Sequence, residues 1–222
     1  MAVQPYRPLE LMENPLITKS DFTDFIGVWE NFVPESFCNQ LIEYFEEVYD
    51  TRGCFISPSD DTLNGIQEDD IMRSSDAYGG TMNRKDYALL INYSSMNLSY
   101  QINQFLKSCA LHYREKYSQL KQANLISTDI KMQKTPPEGG YHLWHYENGN
   151  IDHAMRELTW MIYLNDMPDG EGETEFMYQR RRIKPTAGTV VMWPAGYTHV
   201  HKGNTVFTKD KYILTGWYVK NK

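Results

Sequence analysis

Cysteine is scarce in this chain of 222 residues: Cys38, Cys54 and Cys109 are three, widely spaced and without a C-x-x-C pair. An odd, scattered set excludes a disulfide framework and a cysteine zinc site as organising features, and reads as small core or surface thiols. Basic residues are in the minority. Lys plus Arg number 22 against 29 Asp plus Glu, a formal net charge of −7. A whole-domain basic footprint for duplex nucleic acid is therefore missing, and no nucleic-acid partner is expected. No apolar run approaches the roughly 20 residues of a membrane span. The N-terminal stretch has no charged head followed by an apolar segment, so no signal peptide is expected. The expectation is a soluble, cytoplasmic protein without a membrane partner. Internal repeats, low-complexity segments and the H-E-x-x-H signature of zinc hydrolases are absent as well.

What is present is aromatic. Phe, Trp and Tyr make up 14% of the chain, a density that needs a core to pack on and argues against disorder. Eleven Met residues read as gap-fillers in that core. The length suits a single domain over residues 1–222.

Residues 1–24, with Pro5, Pro8 and Pro15 among polar residues, read as an arm over the surface. Residues 25–125 read as a helix-rich support. A short strand candidate runs from Phe25 to Trp29. Phe37, Leu41, Tyr44, Phe45 and Val48 then recur at three and four, an amphipathic helix with Pro34 and Glu35 in its first turn. A second helix is expected from about Asn97 to Gln119, with Leu98, Ile102, Phe105, Leu106, Cys109, Leu111 and Tyr113 as its stripe. Between the two, residues 51–84 are long, polar and rich in Asp and Gly; Asp60, Asp61, Glu68, Asp69 and Asp70 make them a place to look for a lid or substrate contact. From residue 126 to 222 the texture changes to short β-rich segments separated by Gly, Pro and Asn: Asp129–Thr135, Tyr141–Tyr146, Leu158–Leu164, Glu173–Met177, Ile183–Lys184, Gly188–Trp193 and Lys211–Val219. Regular strand–turn spacing points to an antiparallel sandwich or barrel, and the whole to one α+β domain.

His145-Tyr146-Glu147 places an imidazole and a carboxylate at i and i+2, which face one side of a strand. Alone this is weak, since composition supplies about one H-x-D/E by chance. A second imidazole further on, His199 or His201, would be brought alongside by a β sandwich. Two imidazoles and one carboxylate leave half the sites of an octahedral ion open, the facial set of non-haem Fe(II) oxygenases; zinc remains chemically open with the same ligands.

With these residues the sequence resembles the Fe(II)/2-oxoglutarate-dependent oxygenases, on their prolyl 4-hydroxylase-like branch. The resemblance covers about Ile130 to Val219, and more loosely the helices from Val33. It implies a double-stranded β-helix (jelly roll) core braced by N-terminal helices, with iron held by His145, Glu147 and His201. Relatives carry a Lys or Arg about ten residues after the distal His, and Lys211 follows His201 by ten; by resemblance it binds the far carboxylate of 2-oxoglutarate. Alternation puts Lys211, Ile213, Thr215 and Trp217 on one face, with Trp217 beside the cosubstrate. Tyr163, in Tyr163-Leu164-Asn165, matches a tyrosine that commonly bonds the same carboxylate, and Gln133, on the face of Lys131 and Thr135, is a further candidate contact. Gly170-Glu171-Gly172-Glu173-Thr174-Glu175-Phe176 approximates the family's G-G-E-T-x-F turn. Glu147 departs from the usual Asp by one methylene; a carboxylate there argues against a halogenase, which replaces it with a small residue. His142, His112 and His153 read as structural or surface residues, and Arg180-Arg181-Arg182 as a solvated hairpin.

The resemblance implies Fe(II), 2-oxoglutarate and O2, and a reaction that couples decarboxylation of 2-oxoglutarate to succinate and CO2 with hydroxylation of a C–H bond. A prolyl or other residue of a protein or peptide is the first expectation for the substrate. The alternatives are a small molecule or nucleobase substrate, a metal-binding jelly roll without redox turnover, and, third, a hydrolytic metalloenzyme.

Overall fold

Alternation along the β-rich half sorts side chains onto two sides of one sheet. The computed structural model describes residues 19–52, 67–70 and 84–221. In chain order the elements are β1 (Ser20–Thr23), β2 (Ile26–Trp29), α1 (Glu35–Arg52), β3 (Gln67–Asp70), β4 (Arg84–Leu90), α2 (Ile91–Ser94) and α3 (Met96–Lys116). Then follow β5 (Leu125–Ser127), β6 (Lys131–Thr135), β7 (Gly140–Tyr141), β8 (Arg156–Tyr163), β9 (Thr174–Phe176), β10 (Arg181–Ile183), β11 (Val190–Pro194), β12 (His201–Gly203) and β13 (Lys211–Lys220). The larger sheet has the order β1-β2-β11-β8-β13-β6-β4-β3, with β5 and β7 pairing to β13 and β4; the smaller is β10-β9-β12. Among the described residues every pairing is antiparallel.

On β8 and β11 the even-numbered Trp160, Ile162, Val190 and Met192 face the helices, together with Met132 and Leu214. The odd-numbered Met161, Tyr163, Val191 and Trp193 face the other way and pack with Phe176 of the smaller sheet. This two-sided burial is what a sheet covered by helices on one face and a second sheet on the other requires. Helices α1 and α3 supply the covering layer through Leu41, Phe45, Ile102, Leu106 and Cys109. Ser95 caps α3, its hydroxyl accepting from the Leu98 N–H at 3.3 Å, and Arg114 and Lys116 lie in the last turn, where the helix dipole favours cations. On the outer face, α1 is tied to the sheet through Glu46, which accepts from Tyr212 at 2.5 Å and from Lys134 at 3.0 Å. The result is a jelly roll with helices braced against its larger sheet.

Two expectations change. Residues 20–23, read as part of an arm, form β1 and hydrogen-bond to β2; residues 1–18 lie outside the described residues. The region 25–125 is not only support: β2, β3 and β4 extend both edges of the larger sheet. Most of the acidic stretch, with Cys54, Asp60 and Asp61, falls outside the described residues, except that Gln67–Asp70 forms β3 and Arg84 opens β4. Cys38 and Cys109 are buried free thiols.

The lead-in to α1 is locked to the roll at Gly188, whose carbonyl accepts from the N–H groups of both Phe32 (2.9 Å) and Val33 (3.0 Å). Gly188 has φ +75, and a Cβ there would meet the Val33 carbonyl oxygen at 2.1 Å. Gly188→Ala combines a left-handed backbone penalty with a backbone clash. It should destabilise the fold by about 2–4 kcal/mol, seen as a lower denaturation midpoint at unchanged slope; an unchanged midpoint would show that this junction yields freely.

Candidate metal and cosubstrate site

Cavity-facing residues of β6 and β13 meet the short loops that carry the ligand candidates. Lys131, Gln133 and Thr135 project from β6, and Lys211, Ile213, Thr215 and Trp217 from β13, into a cavity of about 400 Å³. Between β7 and β8 the chain runs extended past β12: His145 and His201 form an isolated antiparallel bridge, exchanging backbone hydrogen bonds of 3.0 and 2.9 Å. Glu147 is pinned two residues on by its N–H to the Ala195 carbonyl at 2.9 Å. His145 thus sits at one bridge residue rather than within a continuous Tyr141–Tyr146 strand, yet the extended backbone preserves the i, i+2 convergence.

Each of His145, Glu147 and His201 offers one ligand atom, and these atoms lie within 4.8 Å of one another. His145 Nε2 is 3.6 Å and His201 Nε2 3.3 Å from Glu147 Oε1. Both Nδ1 atoms are 2.9 Å from backbone carbonyls, of Leu143 and His199 respectively. A carbonyl only accepts, so each Nδ1 carries the proton and each Nε2 turns its lone pair inward. Burial pulls the His145 imidazole below its ordinary value, against the opposing pull of the neighbouring Glu147 carboxylate. Burial alone would raise Glu147, but the imidazoles of His145 and His201 beside it hold its carboxyl well below the usual range. Neutral imidazole and ionised carboxylate are the forms that bind a metal.

The second oxygen of Glu147 is held from behind. Trp217 Nε1 donates to Oε2 at 2.9 Å, and Arg156 approaches it at 3.4 Å while its guanidinium lies 3.5 Å from the centre of the Trp217 ring. Oε1 alone therefore faces the imidazoles. The extra methylene of Glu relative to Asp is accommodated by this two-point anchorage. The donor set, two neutral imidazole nitrogens and one carboxylate oxygen on one side of an open cavity, fits a ferrous ion with positions left for a bidentate ligand and O2.

Lys211 occupies the closed end. It is 6% exposed, donates to the Gly172 carbonyl at 2.5 Å and lies 5.6 Å from the centre of the Tyr163 ring. Gly172, at φ +65, leaves room for it, since a Cβ there would approach the Lys211 side chain to 3.0 Å. Burial pulls Lys211 down to about 8, against the nearby carboxylates of Glu173 and Asp86.

The seven candidates thus divide. His145, Glu147, His201, Lys211, Gln133 and Trp217 line the cavity. Tyr163 does not: its ring packs under Lys211, and its hydroxyl donates to Thr174 Oγ1 at 2.7 Å, leaving Thr174 as the hydroxyl on the cavity wall. The motif resemblance singled out Tyr163 without revealing that Thr174 of β9 lies in front of it. Trp217 reaches Glu147 rather than only the cosubstrate end, and Gln133 donates to Asp86, a wall residue that nothing in the pattern of β4 singled out. His199 lines a separate surface hollow with Asp24, Phe25 and Tyr178. His153, read as a surface residue, stands at the cavity wall; His112 is structural, accepting from Trp29 Nε1 at 3.2 Å. In the arginine hairpin, Arg181 pairs with Asp21 at 2.5 Å and Arg182 with Glu175 at 3.2 Å.

Comparison with known proteins agrees with this geometry. Residues 130–219 match the model of the 2OG-Fe(II) oxygenase superfamily. Among solved structures, the chain is similar to a viral collagen prolyl hydroxylase of Paramecium Bursaria Chlorella virus-1 in complex with 2OG. That match has TM-score 0.61 and 16% identity, over 89% of this chain and 97% of that one. A prolyl-4-hydroxylase of Pseudomonas putida gives 0.60 and 16%, over 89% and 94%. A prolyl hydroxylase of Trichoplax adhaerens, in complex with a hypoxia inducible factor peptide fragment, gives 0.61 and 18%, over 89% and 84%. No curated protein sequence matches significantly. These identities bear on the fold, which is that of the prolyl 4-hydroxylases, and the match over residues 130–219 bears on the chemistry: it is to the 2OG-Fe(II) oxygenase superfamily, and with the His-Glu-His cluster it makes the chain an enzyme that uses Fe(II), 2-oxoglutarate and O2.

Proposed function

We propose that this oxygenase hydroxylates a C–H bond of a residue in a protein or peptide, a prolyl residue first, with His145, Glu147 and His201 holding iron and Lys211 holding 2-oxoglutarate. The observation that carries the reading is the division of one cavity between a three-donor cluster and a buried lysine at its closed end. A binding module without turnover has no need of that lysine. Bound there, iron with 2-oxoglutarate supplies an O2-dependent oxidant of C–H bonds.

The chain's own residues position and shield. Trp217 and Arg156 keep Glu147 to one ligating oxygen, and the Nδ1 hydrogen bonds keep both imidazoles in the ligating tautomer. Trp193 and Phe176 pack edge-on and tilted against His201, excluding water from its rear. Lys211 offers a charge-assisted hydrogen bond to the distal carboxylate in a low-dielectric end. A peptide substrate is supported by the fold shared with prolyl hydroxylases, one of them solved with a peptide. The proposal places the catalytic core at 126–222 of a single domain and the protein in the cytoplasm. Among the described residues no helix is long and apolar enough to cross a membrane.

The purified protein should convert 2-oxoglutarate to succinate slowly without substrate, and only with Fe(II) and O2 present. Succinate no higher than in a metal-free control, with iron occupancy verified, would sink the assignment.

A further inference from the structure

Apart from the catalytic cavity, the described residues form a surface hollow of about 530 Å³. Three short segments meet in it: Asp24 and Phe25 from the turn between β1 and β2, Tyr178 and Gln179 after β9, and Thr198 and His199 ahead of β12. It shares no lining residue with the catalytic cavity.

Its walls are aromatic. Thr23 pairs with Ile26, so Asp24 and Phe25 are the two central residues of a tight hairpin, at φ +51 and +62. Such a turn needs left-handed backbone at both positions and usually carries Gly at the second. A phenylalanine stands there instead. Its carbonyl accepts from the Tyr113 hydroxyl at 2.6 Å, and its ring stacks on Tyr117 with 4.9 Å between centres. The turn thus holds an aromatic ring out at 55% exposure, and Tyr178 supplies a second ring at 64%.

The polar groups on offer are acceptors. His199 has both ring nitrogens engaged, with the Asp24 carbonyl and the Thr198 hydroxyl. Gln179 donates through Nε2 to the Thr198 carbonyl at 2.9 Å, which fixes its amide; the Oε1 atom is then buried with no hydrogen-bond partner. Asp24 adds a carboxylate close enough to act on the His199 ring. The lining holds neither Lys nor Arg.

We infer that this hollow is a docking site for the arginine side chain of a partner polypeptide. A guanidinium is planar, stacks on aromatic faces and presents five donors. It therefore matches a lining of two rings, a carboxylate and an orphaned amide oxygen. A donor delivered to Gln179 Oε1 satisfies a buried acceptor that the chain itself leaves unpaired. A lysine ammonium is a compact point charge without a plane to stack. Free arginine is the poorer ligand, because its own carboxylate meets Asp24 with no cation in the lining to receive it. Within a polypeptide that group is an amide.

The test titrates the full chain with the capped tripeptide acetyl-Gly-Arg-Gly-amide and follows backbone amide chemical shifts. Matched tripeptides carry Lys or citrulline, the uncharged isostere, in place of Arg, and free arginine is titrated alongside. The proteins are the wild type, Tyr178→Ala and Asp24→Asn, each with its thermal midpoint verified. Asn tolerates the left-handed backbone and keeps the carbonyl that His199 bonds. The arginine peptide should shift the signals of residues 24–25, 178–179 and 198–199. The citrulline peptide should leave them in place at the same concentration, and the lysine peptide and free arginine should bind more weakly. Tyr178→Ala and Asp24→Asn should each weaken the arginine peptide by about two- to fivefold. No shift in those three segments, or one affinity shared by all three proteins, would overturn the site. Citrulline or lysine peptides binding as well as arginine would overturn the guanidinium assignment. Free arginine binding as tightly as the capped peptide would make the hollow a small-molecule site and overturn the polypeptide partner.

Discussion

His201→Ala is expected to lose iron and turnover together, while His199→Ala keeps its iron. Alternation puts both imidazoles on one face of a strand, and the resemblance favours His201 by the ten-residue interval to Lys211 and by the tail His201-Lys202-Gly203. The structure separates them because the chain is not a strand at His199. Tyr197–His199 is a 3-10 turn, and β12 begins at His201. The turn rotates His199 away, so that its Nε2 lies 2.9 Å from the Asp24 carbonyl and its Nδ1 2.9 Å from the Thr198 hydroxyl. His201 has only Nδ1 engaged with backbone and points Nε2 at Glu147. Losing an outer-shell partner of a ligand costs about 10–100-fold in metal affinity; losing a ligand from a set of three should cost more than about 100-fold. His199→Ala instead removes a buried hydrogen-bonding group and should lower stability by about 1–3 kcal/mol. Iron stoichiometry and the thermal midpoint, measured in both variants, separate the two effects. Iron retained in His201→Ala and lost in His199→Ala would reverse the assignment.

Lys211→Ala should weaken 2-oxoglutarate far more than iron. The lost contact is a hydrogen bond to a charged group, worth about 1.5–3 kcal/mol, which corresponds to roughly tenfold to a hundredfold or more in dissociation constant. Burial adds a pH signature. Lys211 is pulled down to about 8 by desolvation, against Glu173 and Asp86, and its charged form is the one that holds a dianion. Affinity should therefore be steady below pH 8 and fall as the pH rises past it, by about tenfold per pH unit at the limit of one proton taken up on binding. Lys211→Ala should flatten that fall. Titration of the anaerobic Fe(II) protein, read at the weak visible band of bidentate chelation, gives both numbers. An unchanged dissociation constant in Lys211→Ala would move the clamp elsewhere. Arg156, another cation on the cavity wall, is already committed to Glu147 and Trp217.

Much of this site was legible before any fold was known, for a physical reason. A metal needs lone pairs from few residue types, and extended backbone places i and i+2 on one side, so His145 and Glu147 announced themselves even though only a single bridge residue stands where a strand was expected. The helices were legible because their apolar stripes recur at three and four: α1 and α3 cover the expected segments and run a few residues beyond or short of them. Less legible were the short strands β1, β3 and β5 at the margins of the larger sheet. Edge strands carry little alternation of their own and depend on a neighbour's ladder; β1 lay in a polar, proline-containing stretch that reads as an arm.

The sequence by itself determined the residue types of the site, their order, the helix-then-sheet architecture and the acidic charge balance. Only the tertiary structure decided which atom of each residue faces which partner. Alternation specifies a side and not a distance, so it could not tell that the β9 turn shields Tyr163, that Trp217 reaches Glu147, or that a 3-10 turn removes His199. Nor could it join Lys131, Arg156 and Lys211, 80 residues apart at the extremes, into the wall of one cavity. Long-range pairing of β6, β8 and β13 did that, and it is burial between two sheets that turns an ordinary strand lysine into a desolvated one.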